Sequence, residues 1–303
     1  MALGSAAFDT PNVACMTPSD AAAGPSAGRW SSLDRPPLNA AALRRALVTE
    51  GGLWTSLEVV PATGSTNTDL AARSADLPEG AVLVAEEQTA GRGRLDRSWT
   101  APARSGLFFS VLLKPGEGVP QERWGWLTLL AGVAAAQGLS RAAGVDTSLK
   151  WPNDLLVTVD GEERKAAGIL AERVADGVVV GIGLNVTLTE DELPVPAAGS
   201  LLLAKAAVTD REPLLKVVLR TLEEWYGRWR EAGGDPAESG LQEAYAASCA
   251  TLGRHVRAEL PGGRALTGTA EAVDADGRLV IRTPEEEREA VGAGDVVHLR
   301  SVR

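Results

Sequence analysis

The sequence predicts an α+β protein: a mixed β-sheet domain with flanking helices over residues 37–250, then a small SH3-like β-barrel over residues 251–303. Three observations predict it. Ala81–Ala85 and Leu107–Leu113 are continuous apolar runs of the length of buried core strands. Two longer stretches have helical character: 124–143 is apolar nearly all round, and 213–232 carries Leu214, Val217, Val218, Leu222, Trp225 and Trp229 on one side. From Arg254 the chain turns to short strands parted by Gly, Pro and Asp, the pattern of a small barrel.

Residues 1–36 are rich in Ala, Gly, Ser and Pro without periodicity and are expected to be disordered. They show no basic segment followed by an apolar one, so no secretory signal is expected. Asn39 is placed to cap a short helix reaching Leu47, with no room before it for a helix-turn-helix module. Leu57–Val60 reads as a strand. Gly64-Ser65-Thr66-Asn67 is a polar turn opening a helix that runs to Ala72. Its hydroxyls suit either a helix cap or a small polar ligand.

The strand Ala81–Ala85 delivers Gln88-Thr-Ala-Gly91-Arg92-Gly93-Arg94, followed by Arg97 and Trp99. Glycine lets backbone approach a ligand closely. Arginine presents a flat fork of donors suited to phosphate or carboxylate, and tryptophan a face for a purine. Trp124 and Trp126 read as core. Lys150-Trp-Pro152-Asn153-Asp154 should bend at its proline, ahead of a strand at 155–159. Strands follow at 165–172 and 177–186. The second carries Gly181 and Gly183, which favour close approach of a ligand or of another strand. A last helix is expected over Pro236–Cys249. Four strands are then expected at 256–260, 266–270, 279–283 and 295–299, with His255 and His298 on their surface.

Bulk composition narrows the chemistry. A hydrophobic content of 45% with 23% charged residues is ordinary for a water-soluble fold, and no apolar run is long enough for a membrane span. A net charge of −10 argues against nucleic acid as the main partner. Cys15 and Cys249 stand in no metal-ligand spacing, which fits a reducing cytoplasm. No histidine neighbours a candidate nucleophile, so a Ser-His-Asp or Cys-His mechanism has little support. What remains is a set of polar loops at strand ends, equipped to position phosphate and stabilise its charge.

In their order, Gly64-Ser-Thr-Asn67, Gln88 to Arg94 with Trp99, Lys150-Trp-Pro-Asn-Asp154, Lys165-Ala-Ala-Gly-Ile-Leu170 and Gly181-Ile-Gly-Leu-Asn185 resemble the motifs of biotin protein ligases, also called biotin–[acetyl-CoA-carboxylase] ligases. The resemblance runs from about residue 57 to the C-terminus. It is to the monofunctional group, which lacks an N-terminal DNA-binding domain. It implies the class II synthetase-like fold of biotin and lipoate ligases. It also implies two steps: biotin and ATP give biotinyl-5'-AMP and pyrophosphate, then a carrier-domain lysine takes the biotin and AMP leaves. Ser65, Thr66, Asn67, Gln88, Gly91, Gly168, Leu170 and Gly183 would bind biotin, together with Arg92 and Lys165. Arg92, Arg94, Trp99, Lys150, Asn153, Lys165 and Asn185 would hold ATP or the adenylate. Lys165, Arg92 and Arg94 would be catalytic, with Asp154 helping the incoming amine. Mg²⁺ would arrive with ATP rather than on protein ligands. The implied partner is the biotin carboxyl carrier protein of a carboxylase, not DNA or a membrane, for a cytoplasmic monomer or weak homodimer. The C-terminal barrel would assist ATP or carrier docking.

One departure from the family pattern is the loop after Arg94. It reads Leu95-Asp96-Arg97 where the family commonly continues Arg-Gly-Arg, which bears on how the loop orders over the adenylate. The alternatives are a lipoate or octanoate ligase of the same fold and a non-catalytic biotin-sensing repressor.

Overall fold

The computed structural model describes residues 35–95, 97–260, 263–292 and 295–298. Residues 1–34, most of the segment expected to be disordered, lie outside them, as do Asp96 and Leu299.

The elements follow the apolar pattern closely. Helix α1 (Ala40–Leu47) is capped by Asn39, whose side chain accepts from Ala42 N. Strand β1 (Ser56–Val60) leads to α2 (Thr66–Ala72) and β2 (Ala81–Ala85). A two-stranded hairpin, β3 (Gly91–Arg92) and β4 (Ser98–Trp99), precedes β5 (Gly106–Leu113). After a 3₁₀ turn at Gln121–Gly125 comes α3 (Trp126–Ala143), then β6 (Thr147–Lys150), β7 (Asp154–Val159), β8 (Glu162–Val174) and β9 (Gly177–Asn185). Helices α4 (Arg211–Glu231) and α5 (Leu241–Ser248) complete the domain.

Seven strands form one sheet in the order β1-β2-β5-β9-β8-β7-β6, with β1–β2 parallel and the other pairs antiparallel. The two faces of this sheet have different fates. In β5, Leu107, Phe109, Val111 and Leu113 join the main core beneath α3 and α4, whereas Leu112 joins a small cluster with Leu70 of α2. Strand side chains alternate between faces, so Phe108 and Ser110 share the α2 face with Leu112. The α2 face is covered only in part, and the uncovered part is where polar groups collect.

Between α3 and α4 the backbones approach closely. A Cβ on Gly138 would stand 3.3 Å from Val218 Cα. A buried ion pair ties the start of α4 to the end of β2. Arg211 Nη1 lies 2.7 Å from Glu86 Oε2, with the side chains 5% and 8% exposed, and Leu38 N donates to Glu86 Oε1 at 2.6 Å. The final helix begins at Leu241 rather than near Pro236, because the preceding residues close turns at Gly233, Gly234 and Gly240, all with positive φ.

The C-terminal region is a five-stranded antiparallel sheet: β10 (His255–Glu259), β11 (Ala265–Val273), β12 (Leu279–Arg282), β13 (Arg288–Val291) and β14 (Asp295–His298), in the order β13-β12-β11-β10-β14. Strand β13, Arg-Glu-Ala-Val, is a fifth strand beyond the four expected; its charged residues gave no apolar run. The expected barrel is an open ladder among the described residues, since the two edge strands are not paired with one another. Val256, Ala258, Leu279 and Ile281 belong to the same buried cluster as the helices of the large domain, so one core runs through both regions.

His255 is exposed, as expected, but His298 is not a surface residue. It is half-buried at the junction, with Nε2 3.0 Å from Thr251 Oγ1 and Nδ1 3.2 Å from Arg254 Nη1. Arg254 can only donate, so Nδ1 accepts and the ring proton sits on Nε2. Burial first, then the charges of Lys150 and Arg254, pull the His298 pKa down to about 4. Among the described residues no helix is long and apolar enough to cross a membrane.

Candidate active site

The uncovered part of the α2 face is a cavity of about 520 Å³. Six sequence segments supply its wall, five of them delivered by the end or the pleat of a strand and the sixth the loop around Pro194.

The N-cap and first turn of α2 contribute Ser65, Thr66 and Asn67, all buried. Ser65 occupies the N-cap position of α2 but makes no side-chain capping bond. Thr66 N donates to Gln88 Oε1 at 2.9 Å, and Thr66 Oγ1 lies 3.1 Å from the same oxygen. Asn67 is fully engaged within the protein. Its amide nitrogen donates to Leu170 O at 3.0 Å and to Glu172 Oε2 at 2.9 Å, and its oxygen lies 2.6 Å from Ser110 Oγ.

The β3–β4 hairpin carries the arginines over the cavity. Gly91 lies outside the wall; a Cβ there would meet Trp99 O at 2.4 Å, so glycine is what lets the hairpin close. Arg92 Nη1 pairs with Glu172 Oε1 at 2.8 Å and touches Thr68 Oγ1 at 3.4 Å. Arg94 Nη1 reaches Asn153 Oδ1 at 3.4 Å. Trp99 turns inward and packs against the floor. Cβ atoms built on Gly183 and Gly168 would stand 2.8 and 3.0 Å from its ring. Its indole N–H is buried without a hydrogen-bond partner among the described residues.

That floor is β8 and β9. On β9, Gly181, Gly183 and Asn185 alternate with the core residues Val180, Ile182 and Leu184, so the glycine spacing of two places them all on the cavity side. On β8, Gly168, Leu170 and Glu172 share that side by the same period. Lys165 is three residues from Gly168 and would face away in a regular strand. The β7–β8 register jumps, with Leu155 opposite Ala167 but Leu156 opposite Lys165, so Ala166 is an extra bulged residue. Such a bulge re-aims the side chain beside it, and Lys165 lines the cavity. Its backbone is held in place as Lys165 N donates to Ala197 O and Gly199 N to Lys165 O, both at 2.8 Å.

Lys165 Nζ stands 2.6 Å from Asp154 Oδ1 and 5.7 Å from the Trp99 ring centroid. Asp154 is set by the β6–β7 turn, which bends as expected and contains a cis Trp151–Pro152 bond. Asn153 braces the turn, donating to Ile169 O at 2.9 Å. The C-terminal region braces it from behind: Trp151 N donates to Thr251 Oγ1 at 3.0 Å and Trp151 Nε1 to Gly277 O at 3.1 Å. Lys150 lies at this junction, where its charge is felt by His298, rather than in the cavity wall. Asn185, 3% exposed, donates to Gly199 O at 2.9 Å and so fixes the segment that holds Lys165.

One cavity therefore brings together every residue singled out from the sequence except Gly91 and Lys150. It has a hydrogen-bonding end at Thr66 and Gln88, flanked by Arg92 through Thr68 and Glu172, an aromatic and glycine floor, and a cationic end at Arg94 and Lys165, with Arg97 also in the wall. Sequence reasoning missed Ser110, Glu172 and the rim at Pro194–Val195. Ser110 had a signal: it is the one polar residue in an otherwise apolar strand. Val195, 55% exposed, had none.

Comparison with known proteins gives a consistent picture. Residues 59–187 match the model of the biotin/lipoate A/B protein ligase family, and residues 251–299 match the biotin protein ligase C terminal domain. The chain is 44% identical over 271 residues to the biotin–[acetyl-CoA-carboxylase] ligase of Mycobacterium tuberculosis, covering 88% of this chain and 97% of that one. It is 36% identical to the bifunctional ligase/repressor BirA of Bacillus spizizenii, over 75% of this chain and 69% of that protein. Among solved structures, the biotin protein ligase of Aquifex aeolicus in complex with biotin and ATP superposes with a TM-score of 0.65 at 28% identity, over 82% of this chain and 100% of that one.

Proposed function

The chain belongs to the biotin/lipoate A/B protein ligase family, and from that premise we propose that it is a biotin–[acetyl-CoA-carboxylase] ligase. The observation that carries the reading is the polarity of this cavity: neutral donors and acceptors at Thr66 and Gln88, with four cationic side chains, Arg92, Arg94, Arg97 and Lys165, in the same wall. Biotin has the matching asymmetry, a neutral ureido ring on a chain ending in carboxylate.

In the first step the biotin carboxylate oxygen bonds to the α-phosphorus of ATP, and the bond from that phosphorus to the β-bridging oxygen breaks. Negative charge gathers on the phosphoryl oxygens. Arg92, Arg94 and Lys165 are placed to stabilise it as fixed charge in a partly closed site. Arg92 and Lys165 are paired with Glu172 and Asp154 in the unliganded chain, so engaging phosphate means exchanging one anion for another. Trp99, whose buried indole N–H has no partner among the described residues and which stands on a two-residue strand, is suited to close over the adenylate.

Mg²⁺ bound to the ATP phosphates would neutralise leaving pyrophosphate; among the described residues no three His, Cys, Asp or Glu side chains cluster to hold it. In the second step the carrier lysine nitrogen bonds to the biotinyl carbon, the bond to AMP breaks, and the amine gives up a proton. Asp154, at the cavity wall, is the carboxylate placed to take it. The carrier is a carboxylase biotin domain, and the setting is the cytoplasm.

Mass spectrometry of a biotin carrier domain incubated with the protein, biotin, ATP and Mg²⁺ tests the reading. The expected product is one biotinyl addition on lysine. Pyrophosphate release with lipoate but not with biotin would move the assignment to a lipoate ligase.

A further inference from the structure

Ser110 has no part in the chemistry above, yet it is fully buried at the back of the cavity and touches Thr66 and Asn67 at the start of α2. Its hydrogen-bond directions can be worked out from the inventory of protons. Both amide protons of Asn67 are spent, since Leu170 O and Glu172 Oε2 can only accept. Asn67 Oδ1 is then an acceptor, and the atom 2.6 Å away, Ser110 Oγ, must donate to it. Ser110 has a single proton. Its 2.7 Å contact with Thr66 Oγ1 therefore needs the Thr66 proton, which this shorter contact takes in preference to Gln88 Oε1 at 3.1 Å. Gln88 Oε1 is satisfied by Thr66 N at 2.9 Å, which fixes the amide of Gln88 with its nitrogen turned away.

We propose that Ser110 is the positioning residue that sets the polarity of the cavity's neutral end. With its proton drawn inward to Ser110, Thr66 offers only lone pairs to a ligand, while Gln88 offers an amide donor. A cyclic urea presents N–H beside C=O and is matched by an acceptor beside a donor. The inference rests on the biotin reading and deepens it: Ser110 selects for a ligand N–H at Thr66 without touching the ligand. Gly181 belongs to the same device, because a Cβ there would fall 2.0 Å from Asn67 Oδ1 and 3.1 Å from Ser110 Oγ.

The test is steady-state pyrophosphate release by wild type, Ser110→Ala and Ser110→Cys, with biotin and ATP varied separately and melting temperatures measured alongside. Expected for Ser110→Ala is a rise in biotin KM of about ten-fold, the worth of one well-placed hydrogen bond. ATP KM and kcat should stay within about two-fold, since charge at the other end is untouched. The cysteine, a weaker donor, should fall between. A biotin analogue methylated on a ureido nitrogen supplies a measurement on wild type alone. Its KM should far exceed that of biotin, and Ser110→Ala should narrow the gap. Equal KM for biotin in wild type and Ser110→Ala overturns the proposal, as does an equal rise for ATP or a wild type indifferent to methylation. Wild type that releases no pyrophosphate with biotin fails the functional reading instead.

Discussion

Substituting Gly181 by alanine tests the packing behind the cavity. The new Cβ would lie 2.0 Å from Asn67 Oδ1 and 2.8 Å from its Cγ, so the overlap is with a side chain locked at both ends. If Asn67 stays, the strain is that of an overpacked core, about 1–3 kcal/mol. If it rotates away, its bonds to Ser110, Leu170 and Glu172 break and buried polar groups are orphaned at about 1–3 kcal/mol. Some of each gives about 2–4 kcal/mol, which for a chain of this size lowers the melting temperature by roughly 5–15 °C. Biotin KM should rise with it, since Thr66 is held through the same hydroxyl. Gly183→Ala is the control. Its Cβ meets the Trp99 ring, carried on a two-residue strand that can shift, so stability should fall by less than about 1 kcal/mol. Differential scanning fluorimetry with biotin titration reads both. A Gly181→Ala variant with wild-type melting temperature and biotin KM would refute the account of Asn67.

Further outcomes are expected. Lys165→Ala should bind biotin within a few-fold of wild type but release pyrophosphate about 10²–10³ times more slowly, the loss typical of one charge-stabilising donor; wild-type release would remove Lys165 from the chemistry. Asp154→Asn, given biotinyl-5'-AMP, should transfer biotin to the carrier more slowly and with a changed pH profile; an unchanged rate across pH would exclude Asp154 as the proton acceptor. Glu86→Ala should lose about 3–5 kcal/mol, because Arg211 is then left buried without its carboxylate; denaturant unfolding measures it. His298 has a folded pKa of about 4, below its unfolded value, so the folded chain binds fewer protons in between. Stability should therefore fall as pH drops from about 6.5 towards 4, and His298→Gln should flatten that slope in pH-dependent melting.

Much of this was legible in the sequence because the signals were local. A period of two put Gly181, Gly183 and Asn185 on one side, and unbroken apolar runs marked the central strands. What was illegible depended on partners far along the chain. Lys165 faces the cavity only because Ala166 is looped out against β7, which no spacing within β8 announces. His298 looked like an ordinary strand residue because its burial comes from Thr251 and Arg254, across the junction. Arg92 looked like a cation awaiting phosphate, but it is paired with an acid eighty residues away, Glu172.

The irregularity at Ala166 sets a boundary on how this protein can be improved. Keep that residue but iron out the bulge, so that Ala166 takes the place opposite Leu156, and the ladder becomes tidier, with every pair in step from Asp154 onward. The side chain at 165 would then turn to the opposite face of the sheet from Gly168. A chain edited toward the ideal strand would keep its shape and lose this lysine from the cavity.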